Sequence, residues 1–135
     1  MDFEETARYQ IQGPDADKEW AALYPYGGII HLGSSPTPYT PSMFHQLGCL
    51  DIVRKEIIHV QGSPVKIKPS QLADHCSNYL RQMMLCRSDI ALEYCVGKPH
   101  VDVFPETYTC QDWRRLYEEL EKNHRESVES GLFSP

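Results

Sequence analysis

At 135 residues, with 41% hydrophobic content and a formal net charge of -6, the chain can bury one modest core and leaves little room for a second domain. The acidic balance, with a sequence pI near 5.4 and no clustered Lys and Arg, argues against a nucleic-acid partner. No apolar stretch approaches the ~20 residues that a bilayer crossing needs, and the acidic Met1–Glu5 start has no hydrophobic segment behind it. The expectation is therefore a chain without a membrane span, soluble and cytoplasmic as given, or lumenal in the endomembrane system if an N-terminal anchor once preceded it.

Taken in order, residues 1–12 read as flexible. The segment from Pro14 to Leu23 then opens with Pro and acidic residues suited to a first helical turn and carries Trp20 and Leu23 at i, i+3 spacing, which predicts a short amphipathic helix. Pro25-Tyr26-Gly27-Gly28 ends it, and Ile29–Leu32 predicts a short strand. Gly33–Pro41 holds three prolines and is expected to be irregular. From Ser42, a candidate N-cap, to Ile58 the apolar positions recur at three- and four-residue intervals and predict a helix. His59–Lys68 reads as a small hairpin or loop, and a second helix runs from Pro69 or Ser70 to about Cys86. Tyr94–Thr109, with Gly97, Pro99 and Pro105, reads as loop with short strands at most, and Thr109 as the cap of a charged helix from Gln111 to about Arg125. Residues 127–135 read as a frayed tail. The fold class is predominantly α with minor β, a compact single domain over residues 1–135 built on two central helices and a C-terminal one.

The chemistry-bearing residues sit on the two central helices. His45 and Cys49 are four apart and share a face, whereas His75 and Cys76 diverge by roughly 100°. Two helices offering imidazoles to one space could hold copper, zinc or iron, with thiolates favouring softer ions, and buried structural roles account for the same residues. The five cysteines form neither a CxxC pair nor a short-spaced disulfide framework; one must stay unpaired in a monomer, and burial as small hydrophobes is their plainest role. His31, His59, His100 and His124 stand apart from this pattern and read as surface or loop residues.

FHQLGCLDIVRK resembles the first motif of the UstYa family, usually written HQLHCL, and HCSNYLRQMMLCRSDIALE resembles its second, HCxDYLRQxLMCxADxTLE. The N-terminal YQIQGPDADKEWAALYPYGG is similar to the family's entry segment, and TYTCQDW to its terminal HxCxxW element, so the resemblance runs from Tyr9 to Trp113. It implies a small enzyme of fungal natural-product biosynthesis, of a kind that oxidises, hydroxylates, halogenates or cyclises its substrate. The family's paired HxxHC motifs are implicated in holding a redox metal, with copper proposed for some members.

Three departures bear on that implication: Gly48 replaces the second His of the first motif, Leu72 the leading His of the second, and Tyr108 the His of the terminal element. Two motif imidazoles, His45 and His75, remain. A redox metal needs a preorganised ligand set, so the expectation is no metal cofactor, and a metal-independent cyclase, isomerase or dehydratase working on a small-molecule precursor. His75 and His45 are then the candidate acid/base groups, Asp74 an orienting carboxylate, and Asn78 and Arg81 donors to a carbonyl or enolate oxygen. Gly48, Leu72, Tyr79 and Tyr108 would line the substrate space. Met83, Met84 and Trp113 suit either that space or core packing. The alternatives are a copper- or iron-dependent oxidase whose metal is held by His45, Cys49, His75 and Cys76, and a non-catalytic partner of an active paralogue. A helix pair this short also suggests a homodimer.

Overall fold

The computed structural model describes residues 6–87 and 109–131. These form α1 (Ala16–Ala21), a 3-10 turn (Pro25–Gly28), β1 (Ile30–Leu32), β2 (Thr37–Tyr39), α2 (Ser42–Gln61), α3 (Gln71–Cys86) and α4 (Arg114–Glu129). Predominantly helical structure with a minor strand component follows the sequence expectation.

The N-terminal segment is tied down from residue 8 onward. Glu19 on α1 accepts from the Tyr9 backbone N–H at 2.8 Å and pairs with Arg8 at 3.1 Å, while the Trp20 indole donates to the Gln10 carbonyl at 2.9 Å. Arg54, reaching from α2, donates to the Ile11 carbonyl at 2.7 Å. These bonds hold the part of residues 1–12 that is described. At the other end α4 continues to Glu129, with Ser127 buried inside the stretch expected to fray.

The 3-10 turn places Tyr26, Gly27 and Gly28 at positive φ. At Gly28 glycine is required twice over, since φ is +68° and a Cβ there would stand 2.5 Å from the Cβ of Phe44, which is 1% exposed. The close approach seats the turn on α2.

Gly33–Pro41, expected to be irregular, contains β2. It pairs antiparallel with β1 in the register Ile30↔Tyr39, His31↔Pro38, Leu32↔Thr37. Proline is tolerated because His31 turns its backbone polar groups the other way. The Asn123 side chain on α4 accepts from the His31 N–H at 2.8 Å and donates to the His31 carbonyl at 2.7 Å, so the missing N–H of Pro38 is not needed. One carboxamide thus acts as a third partner on the hairpin's inner edge.

His59–Lys68, expected as a small hairpin or loop, is loop after α2, which extends to Gln61. The α3 start is capped twice. Ser70 accepts from the Ala73 N–H at 3.2 Å, and Glu56 on α2 accepts from the Ser70 N–H and hydroxyl at 3.0 and 2.8 Å. Thr109 does not cap α4, which begins at Arg114 with its N–H bonded to Asp112 at 3.2 Å. Pro41, not Ser42, occupies the N-cap of α2.

The buried apolar residues among those described are Ala16, Phe44, Cys49, Ala73, Cys76 and Leu120. That is a thin core, and two devices supplement it. Cys49 and Cys76 form a disulfide that joins α2 to α3, the most extensively packed pair of elements. On the opposite side of α2, Phe44 meets Tyr117 edge-on at 5.0 Å, and the Tyr117 hydroxyl donates to the Leu23 carbonyl at 2.5 Å.

Candidate functional site

Helical spacing puts His45 one turn before Cys49, and His75 immediately before Cys76. The disulfide between those cysteines therefore brings both histidines to one side of the α2–α3 seam. Their rings lie 6.5 Å apart between centroids at an interplanar angle of 24°. Tyr79, one turn beyond His75 on α3, stacks on His45 with centroids 4.1 Å apart and planes 23° apart. Both histidines are exposed, and Tyr79 is half-buried.

The other expected site residues fall around this cluster in different ways. Gly48, three residues after His45, shares its side of α2, and a Cβ there would meet nothing within 4 Å. Leu72, three residues before His75, is 56% exposed. Asp74, Asn78 and Arg81 line the outer ridge of α3, where Arg81 donates to the Asn78 carboxamide oxygen at 2.9 Å. No hydrogen bond among the described residues joins Asp74 to either imidazole. Tyr108 lies outside the described residues. Met84 is 74% exposed and Trp113, stacked edge-on against Tyr117, is 50% exposed, so neither belongs to the core.

The ligand set of the metal-dependent alternative is corrected by the disulfide. Cys49 and Cys76 are bonded to each other and offer no thiolate, which leaves His45 and His75 from the proposed four. Among the described residues no three His, Cys, Asp or Glu side chains converge so as to hold a metal ion.

A cavity of about 320 Å³ opens elsewhere along the same seam, lined by Val53, Glu56, Ile57, Val60, Gln61 and Ala73. None of the expected site residues lines it.

Sequence reasoning missed the densest polar constellation among the described residues. Asp51 and Arg54, 1% and 4% exposed, lie on the side of α2 turned away from α3. Arg54 donates from Nε to Asp51 at 2.7 Å and from Nη2 to Asp17; Asp51 also accepts from the Tyr24 hydroxyl at 2.6 Å and pairs with Lys55 at 2.8 Å. The Arg54 guanidinium lies over the Trp20 ring at 5.6 Å. Burial alone would raise the carboxyl of Asp51, but the donors Lys55, Tyr24 and Arg54 together outweigh it and hold the group below its ordinary value. The Tyr24 phenol is pushed up to about 12, first by burial and then by the Asp51 carboxylate it serves. The signal was present in LDIVRK: an Asp and an Arg three apart within an apolar run are a buried pair in waiting.

The comparisons with known proteins agree with the motifs. A family profile described as mycotoxin biosynthesis protein UstYa matches residues 33–119. The UstYa family oxidase phomYb of Diaporthe leptostromiformis is 28% identical over 125 residues, a match covering 78% of this chain and 49% of that protein. The UstYa family oxidase VicYc of Bipolaris victoriae is 30% identical over 84 residues, covering 59% of this chain and 87% of that protein. A third, phomYd of Diaporthe leptostromiformis, is 33% identical over 122 residues, covering 85% of this chain and 36% of its own length. The chain thus spans about half the length of phomYb and about a third of that of phomYd. No solved structure matches it. With the profile covering more than half of its residues, the chain belongs to the UstYa family of mycotoxin biosynthesis proteins.

Proposed function

We propose that this chain acts on a natural-product precursor by proton transfer, catalysing a ring closure, isomerisation or dehydration at the face where His45 and His75 meet. The observation that carries the reading is the Cys49–Cys76 disulfide. It supports two imidazoles at a fixed spacing while withdrawing the thiolates that would have rebuilt a metal site. An imidazole carries one nitrogen that donates and one that accepts, so one ring can take a proton while the other returns one, and a placed acid or base contributes roughly 10²–10⁴-fold. Holding a flexible precursor in its reactive conformation can supply ~7–11 kcal/mol more.

The test is turnover of the late precursor by purified protein, with and without chelator. His75→Ala and His45→Ala should each lower turnover at least tenfold, while His59→Ala, at an exposed position about four turns further along α2, should leave it within twofold. Metal analysis of protein purified without added metal should give well below one copper, iron or zinc per chain. Stoichiometric, chelator-resistant metal, or equal and negligible effects of the three substitutions, would overturn the reading.

A second reading has one observation in its favour: the relatives that match are named oxidases. In that case the metal ligands come from beyond the described residues or from a second copy of the chain. Chelation would then abolish turnover, and oxygen consumption would accompany product formation.

A further inference from the structure

We propose that Tyr79 is a positioning residue for His45, a role that rests on the acid/base reading above. His45 is exposed in the first turn of α2, where an unconstrained side chain would change rotamer on a picosecond-to-nanosecond scale. No hydrogen bond among the described residues holds either of its ring nitrogens. What holds the ring is the face of Tyr79, 4.1 Å away and nearly parallel.

The consequence is geometric. Stacking occupies one face of the imidazole and leaves Nδ1 and Nε2 at the ring edge, the plane in which an imidazole donates and accepts hydrogen bonds. Tyr79 is itself well anchored, three residues after Cys76 and four after His75 on α3. Rigidity therefore passes from the disulfide to α3, from α3 to the Tyr79 ring, and from that ring across the seam to His45. The same phenol fixes His45 relative to His75, because both Tyr79 and His75 project from one side of one helix. The Tyr79 hydroxyl makes no hydrogen bond among the described residues, so the ring and not the hydroxyl carries the role. This differs from lining the substrate space, where Tyr79 would touch the precursor directly.

The experiment uses the full chain, with histidine-labelled protein followed by NMR and turnover measured in parallel. Loss of ring-current shielding in Tyr79→Leu should move the His45 Cε1–H resonance, and Tyr79→Phe should restore it. Tyr79→Leu should lower kcat about 3–10-fold, the scale of one aromatic pair, with KM changed less than twofold, and Tyr79→Phe should stay within twofold of the parent. In a His45→Ala background Tyr79→Leu should cost less than a further twofold, since a residue acting only through His45 has nothing left to position. An unmoved His45 resonance, a rise in KM at constant kcat, or multiplicative losses in the double variant would overturn the positioning role. A moved resonance with full turnover in His45→Ala would instead overturn the acid/base reading, and Tyr79's part in it.

Discussion

The two sides of α2 are held in place by different means. On the side facing α1, Asp51 and Arg54 are buried and every polar atom they carry is answered, by Tyr24, Lys55, Asp17 or the Ile11 carbonyl. On the other, His45 is exposed and is steadied by an aromatic face and by a disulfide one turn away. The buried side spends its chemistry on itself. The open side keeps its nitrogens available, which is the condition for acting on something else. A polar cluster that is fully satisfied is poor evidence for a catalytic site, whatever its pKa shifts, and a lightly held pair on an open face is better evidence.

Breaking the buried side should have the largest effect on stability. Arg54→Ala leaves Asp51 and Asp17 without their shared cation, and removing one partner of a buried pair costs about 3–5 kcal/mol. Urea unfolding should show it, and a loss under 1 kcal/mol would mean the pair is solvated. Next comes the staple. The Cys49–Cys76 bond closes a loop of 27 residues, so replacing both cysteines by Ala should cost about 3–4 kcal/mol, and a dithiol should produce a similar loss in the parent chain. Here the comparison sharpens, because this change should also separate the imidazoles and depress turnover of the folded protein, whereas Arg54→Ala should not. Gly28→Ala should follow at about 1–3 kcal/mol, from positive φ combined with the contact on Phe44.

Acid sharpens the comparison from another direction. Because the folded carboxyl of Asp51 sits below its ordinary value, its contribution to stability is complete above about pH 3.9 and is lost as pH falls through the lower folded value. Thermal unfolding midpoints should hold from pH 7 to about pH 5 and fall below about pH 4, and Asp51→Asn should flatten that fall. A midpoint that falls equally in Asp51→Asn would move the acid sensitivity elsewhere.

The smallest stability effect is expected on the open side. Gly48→His with Leu72→His meets free space at one position and replaces a half-exposed leucine at the other, so stability should change by less than about 1 kcal/mol. Isothermal titration should nevertheless reveal tighter binding of copper or zinc than in the parent, accompanied by lower turnover. No added affinity and full activity would show that these positions do not face a common site.

Helix α2 and helix α3, with its start near Ser70, were legible in the sequence because apolar periodicity is local. The β2 strand was not, because three prolines spoke against it locally and the residue that makes Pro38 harmless, Asn123, lies far along the chain. At the site, helical spacing gave the shared face of His45 and Cys49, but spacing within one helix says nothing of which cysteine meets which across a seam. For that reason Cys49 and Cys76 could be read as ligands when they are bonded to each other. Tyr79 on His45 is likewise an inter-helix contact with no trace in either motif alone.

The bridge from Asn123 to His31 also sets an order of events during synthesis. The two residues are 92 apart, so β1 leaves the ribosome with its inner edge unanswered and stays so until α4 has been made. At about 5–20 residues per second that interval lasts roughly 5–20 s. Throughout it the hairpin has two short strands and an open edge, less than an isolated hairpin needs to persist in water. The hairpin therefore settles after translation of the last helix, and a chain truncated before Asn123 should retain the α2–α3 pair while losing the register of β1 against β2.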